Sequence, residues 1–145
     1  MKILVSACLL GCACRYDGKS KPHVGVIALA EKHTLIPFCP EIYGGLSTPR
    51  SPSEIVGDRV INSDGEDVTA EYTRGAKEAL RIAQLLGCKV AVLKAKSPSC
   101  GKGKVYDGSF GGMLRDGDGV TAKLLLENGI EVFTEDEITE LSWKD

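Results

Sequence analysis

The sequence predicts an α/β fold: a Rossmann-like, three-layer α/β/α arrangement around a mainly parallel sheet of about four strands. Three observations predict it. Short, continuous apolar runs rich in β-branched residues recur at 2–7 (KILVSA), 35–39 (LIPFC), 88–95 (CKVAVLKA) and 130–133 (IEVF), as strands buried on both faces do. Helical patterns separate them, and alternation of this kind builds a parallel sheet. The 145 residues suit one domain, 1–145, with a sizeable core.

In chain order, KILVSA is the first strand. HVGVIALAEKH, 23–33, reads as a short helix. LIPFC is the second strand, and Pro37 within it predicts a short or irregular one. Residues 40–65 are rich in proline, glycine and serine and read as a long loop, with a brief strand at RVIN. DVTAEYTRGAKEALRIAQLLG, 67–87, has apolar residues at helical spacing, Asp67 or Thr69 to cap its start and Gly87 to stop it. The third strand follows, then a loop over 97–119. The end of the chain reads as a helix over 119–129, the fourth strand, and a capped helix over 134–142.

A net charge of −2 argues against a general nucleic-acid binder. No apolar run approaches the ~20 residues of a membrane helix. The opening MKILVSACLLGC resembles a secretory or lipoprotein leader, but its apolar run is short and its basic region weak, so a buried strand explains it better. The expected compartment is the cytoplasm. There, six cysteines point to metal binding or catalysis more than to disulfides.

Right-handed crossovers put all strand C-termini on one edge, where ligands of such sheets bind. Cys8 follows strand one, Cys39 ends strand two, and Cys100 lies in the loop after strand three. Cys88 begins strand three, at the opposite edge, and reads as a buried small hydrophobe. Beside the three stand Asp17 in RYDG, Glu41 in CPE, and Ser97 and Ser99 in SPSC. Asp17 also suits a plain DG turn and Glu41 a plain cap. Paired CxxC motifs, the usual mark of structural zinc, are absent. Spacing leaves three readings open: an iron–sulfur cluster, a zinc site, or a metal-free thiol enzyme. The last has only His23 and His33 as histidine bases, both outside the cysteine loops.

SACLLG with RYDG, CPE, LKAKSPSCG and GDGVTAKLLLENGIEVF occur in order along nearly the whole chain. Together they resemble a bacterial domain-of-unknown-function family whose characterised relatives include thiouracil desulfidases. The resemblance implies a [4Fe–4S] cluster held by Cys8, Cys39 and Cys100, with one iron open to the sulfur of a small thiolated substrate. It implies replacement of sulfide by water without net redox change. Glu41 would serve as general base, Ser97 would position the water, and Asp17 is a further catalytic candidate. Ser99 reads as a turn residue bonding the loop backbone.

Cys12 and Cys14 depart from the family pattern. They are neutral loop variation, or one of them closes the cluster as a fourth ligand, or one accepts the released sulfide. Closure would make the protein a non-catalytic cluster-binding module. Lys94, Lys96, Lys102 and Lys104 flank SPSC and offer charge for a substrate phosphate, or a merely solvated face. GKGK is not a P-loop, because it lacks the GxxxxGK[ST] order.

Overall fold

A computed structural model describes residues 1–139. Four strands, β1 (Lys2–Ser6), β2 (Thr34–Phe38), β5 (Val90–Leu93) and β8 (Glu131–Thr134), form one sheet in the order β2-β1-β5-β8. Every pair in it is parallel. β2 lies at the edge, which is why Pro37, opposite Val5, is accommodated despite its missing N–H.

Alternate residues of β1 and β5 face opposite ways and build two cores. Leu4, Ala91 and Leu93 pack with Ala79 and Ala83 of α3 (Thr69–Leu86) and with Ala122 and Leu125 of α4 (Val120–Glu127). Ile3, Val5, Val90 and Val92 pack with Val26 of α1 (Val24–Ala28) and with a 3₁₀ turn, Ala7–Leu10. Helices therefore cover both faces, as expected. No helix among the described residues is long and apolar enough to cross a membrane.

The structure corrects the loops. Residues 40–65 contain α2 (Pro40–Tyr43) and an antiparallel hairpin, β3 (Ser53–Val56) with β4 (Arg59–Asn62). RVIN is a strand as expected, but its partner SEIV went unread. The span 97–119 contains a second hairpin, β6 (Lys104–Tyr106) with β7 (Leu114–Asp116). These strands are three or four residues long, too short to show a period.

Other boundaries shift slightly. The first helix is shorter than 23–33: His23 caps it by accepting the Val26 N–H at 3.2 Å, and a 3₁₀ turn, Leu29–Glu31, ends it. Asp67 accepts the Thr69 N–H at 2.9 Å at the start of α3, and Gly87 stops it in the left-handed region. The helix expected over 134–142 begins inside β8 at Thr134, and its residues 140–142 lie outside the described residues.

Candidate active site

β1 and β5 are neighbours whose chain continuations leave in opposite directions, so the sheet's switch point lies between their C-terminal ends. The Ser6 hydroxyl accepts the Lys94 N–H there at 2.9 Å and ties the two ends together. A cavity of about 660 Å³ opens above this point. Its wall includes Cys8, Cys14, Cys39, Cys100, Glu41 and Ser97.

Each thiol arrives by its own route. The 3₁₀ turn after β1 carries Cys8. Cys39 follows β2 and precedes Pro40, whose fixed φ starts α2. Cys100 rides the loop after β5. Ser97 shapes that loop: its hydroxyl accepts the N–H groups of Ser99 at 3.1 Å and Cys100 at 2.7 Å. The start of α4 bonds the same loop, with Val120 N–H on the Pro98 carbonyl and Thr121 N–H on the Ser99 carbonyl, both at 2.8 Å. Ser99 differs from expectation. Its buried hydroxyl bonds the Thr121 hydroxyl of α4 at 2.8 Å.

Cys14 is buried and belongs to the same wall, whereas Cys12 is exposed. The Cys39 thiol donates to the Cys14 carbonyl at 3.8 Å, and the ionisation of the Cys14 thiol couples to that of Cys8 and Cys39. The Cys39 bond favours its thiolate, but the bond to Cys8, burial and neighbouring charge outweigh it and push Cys14 up to about 11. Its bond with Cys14, then burial, push Cys39 far above the ordinary thiol range. Burial pushes Cys100 up to about 12. Buried thiols this close oppose one another's ionisation, and a cationic centre would relieve that. Among the described residues, no three His, Cys, Asp or Glu side chains are grouped to hold a metal ion. The thiols ring a cavity instead, a donor set suited to a larger group with one corner per thiolate.

Glu41 sits in the first turn of α2, clamped from two sides. Arg50 Nη2 donates to its Oε2 at 2.7 Å, and the Tyr72 hydroxyl of α3 donates to its Oε1. The Arg50 side chain is only 6% exposed. Burial works against its charge, but Glu41 prevails and holds the guanidinium above its ordinary pKa. Burial first, then Glu41, raises the Tyr72 phenol well above its usual range. Close contact of α2 with α3 makes the clamp possible. A Cβ on Gly75 would strike the Pro40 carbonyl, and one on Gly44 the Glu71 carbonyl.

Asp17 does not join the wall. It accepts the Lys19 N–H at 3.0 Å and stands 3.8 Å from Arg15, shaping its own turn. Cys88 is buried in the core below α3, away from the cavity. His23 and His33 are also outside the wall. Of the four lysines, Lys94 pairs with Glu135 at 2.9 Å, Lys102 with Glu137 at 3.1 Å and Lys104 with Asp116 at 2.5 Å. Lys96 lines the cavity from a left-handed backbone position, φ 73°.

Sequence reading missed Arg50 and Tyr72. Arg50 sits in TPRSP, nine residues after Glu41, and a lone arginine in a proline-rich loop gives no signal. Tyr72 reads as one more apolar position of α3.

A carboxylate clamped beside four thiols at a sheet's switch point defines an α/β enzyme site lined by thiols. The 2-thiouracil desulfurase family matches residues 3–137, and the chain belongs to that family. The "Uncharacterized protein YbbK" of Bacillus subtilis (strain 168) is 39% identical over 149 residues, covering 96% of this chain and 99% of its own. A solved structure of TudS, a [4Fe-4S]-dependent thiouracil desulfidase, superposes with a TM-score of 0.93 at 48% identity. That match covers 99% of this chain and 96% of TudS. The shared fold is the four-stranded parallel sheet flanked by helices.

Proposed function

We propose that the chain is a desulfidase of small thiolated molecules such as thiopyrimidines, working by hydrolysis without net redox change. Cys8, Cys39 and Cys100 would hold a [4Fe–4S] cluster. When bound, such a cluster supplies an iron, free of protein thiolate, that polarises a soft thiocarbonyl as a Lewis acid.

One observation carries the reading. Three thiols from three separate strand ends share one cavity with a carboxylate that two donors hold in place. Glu41 takes a proton from water as the water attacks the ring carbon, and returns it toward the departing sulfide. Arg50 and Tyr72 fix which way the carboxylate faces. Ser97 accepts two backbone N–H groups, so its own O–H proton remains to orient the attacking water. Asp17 stands outside the cavity wall and takes a supporting part, keeping the Cys14 loop in shape. The residues act as one domain, and reduced thiols of this kind suit the cytoplasm.

Anaerobic reconstitution, followed by a 2-thiouracil assay for released sulfide and uracil, tests the reading. Sulfide and uracil in equal amounts are expected. A loaded protein that releases neither overturns the function.

A further inference from the structure

Among the described residues, two exposed aromatic side chains line the cavity, Tyr16 and Phe110. The Tyr16 ring already carries the Arg15 guanidinium, 5.6 Å from its centroid. No ring or cation among the described residues stacks on Phe110. Cys8 and Cys100 are buried, whereas Phe110 is 41% exposed. The buried thiols therefore floor the cavity, and Phe110 stands at its rim.

Phe110 sits at the tip of the β6–β7 hairpin, in DGSFGG. Its φ is 58°, a left-handed conformation that strains a residue with a bulky side chain. Glycine occupies 108, 111 and 112, yet phenylalanine holds this position. Such strain persists where the surroundings over-determine it, and it clusters at ligand-binding sites. The surroundings here do so. One oxygen of Glu54 in β3, Oε1, accepts the N–H groups of Gly108 at 2.9 Å and Phe110 at 3.1 Å. The Asp107 N–H bonds the Met113 carbonyl at 2.9 Å and closes the loop. Asp107 Oδ1 accepts the Ser109 N–H at 2.9 Å and its hydroxyl at 2.6 Å. A Cβ on Gly108 would stand 2.7 Å from the Ile55 carbonyl, so the loop lies directly on β3.

We infer that Phe110 is the stacking platform for the substrate's ring and selects planar heteroaromatic thiones, with Glu54 as the positioning residue that fixes its loop. The inference rests on the desulfidase reading given above. A thiopyrimidine that turns its sulfur toward the thiols leaves the flat face of its ring at the rim. An aromatic side chain there grips a flat, conjugated ring by stacking. A puckered, saturated ring makes poorer contact with the same face.

Wild type, Phe110→Ala, Phe110→Leu, Phe110→Tyr, Glu54→Ala and Met113→Ala, all reconstituted anaerobically, test this. KM and kcat are measured for 2-thiouracil. Calorimetry in the Glu41→Gln background, which lacks the base, measures binding of 2-thiouracil and of 5,6-dihydro-2-thiouracil, whose ring is puckered. Phe110→Ala should bind 2-thiouracil roughly 5–150-fold more weakly, the range of base–aromatic stacking. The loss should sit in KM, as for an interaction made before and during the reaction alike. The preference for 2-thiouracil over the dihydro ring should shrink toward one, at wild-type iron content. Phe110→Leu should behave like Phe110→Ala, and Phe110→Tyr should recover most of the affinity. Glu54→Ala should weaken 2-thiouracil in the same direction. Met113 is 64% exposed on the same loop and outside the wall, and Met113→Ala should match wild type. Wild-type affinity in Phe110→Ala or Phe110→Leu would overturn the stacking role, and wild-type affinity in Glu54→Ala the positioning one. Iron lost from Phe110→Ala would make Phe110 part of the framework instead. A reconstituted wild type that releases no sulfide would refute the desulfidase reading itself, and this inference with it.

Discussion

Arg50 joins Glu41 to Cys14: one nitrogen, Nη2, lies 2.7 Å from the Glu41 carboxylate and 2.9 Å from the Cys14 carbonyl. The base and the thiol loop are thus held by the same guanidinium. Arg50→Ala leaves a mostly buried carboxylate unpaired. Stability should fall by about 3 kcal/mol, the low end for a broken buried pair because Glu41 retains some solvent contact. Urea unfolding measures that loss. Arg50→Lys should recover part of the stability but little activity, because an ammonium lacks the planar fork.

Glu41→Gln keeps the shape of the side chain and removes the base. Iron content should match wild type, while sulfide release falls by about 10²–10⁴-fold. Equal turnover at matched iron content would take the base role away from Glu41.

Tyr72→Phe deletes one hydrogen bond to that carboxylate. A bond to a charged group is worth about 1.5–3 kcal/mol, so turnover should drop by roughly 10–100-fold. Iron content should not change. A comparable drop in iron would place Tyr72 in the framework of the site instead.

Glu135, paired with Lys94 at the cavity rim, gives a pH prediction. Burial works against its charge, but bonds from Lys94 and the Ala95 N–H outweigh burial and lower its pKa below the ordinary 4.5. A lowered folded pKa adds stability that is present above pH 4.5 and lost as pH falls through the folded value. Melting curves from pH 7 downward should therefore show Glu135→Gln less stable than wild type at neutral pH. The gap should close below pH 4.5. A gap that persists or widens in acid contradicts the sign.

The sheet was legible because its strands are buried on both faces and read as continuous apolar runs. Leu4 and Val5 show this, packing into opposite cores. Once β1, β2 and β5 were ordered as parallel strands, Cys8, Cys39 and Cys100 fell on one edge by topology alone. The hairpins were not legible. β6 and β7 are three residues each, too short to show an alternating pattern. Arg50 was missed, and the place of Cys14 was left open, because no local pattern marks either. Their roles arise where the 12–18 loop meets the 47–50 loop, as in the 2.8 Å bond from the Arg50 N–H to the Tyr16 carbonyl.

Iron and acid-labile sulfide per chain, counted in Cys8→Ser, Cys39→Ser, Cys100→Ser and Cys88→Ser after anaerobic reconstitution, test the three-thiol centre most directly. A hydroxyl replaces a thiolate poorly on a soft cluster. The first three variants should lose the cluster and all sulfide release, and Cys88→Ser should retain both. A full complement of iron and sulfide in any of the first three would contradict the assignment of that cysteine as a ligand.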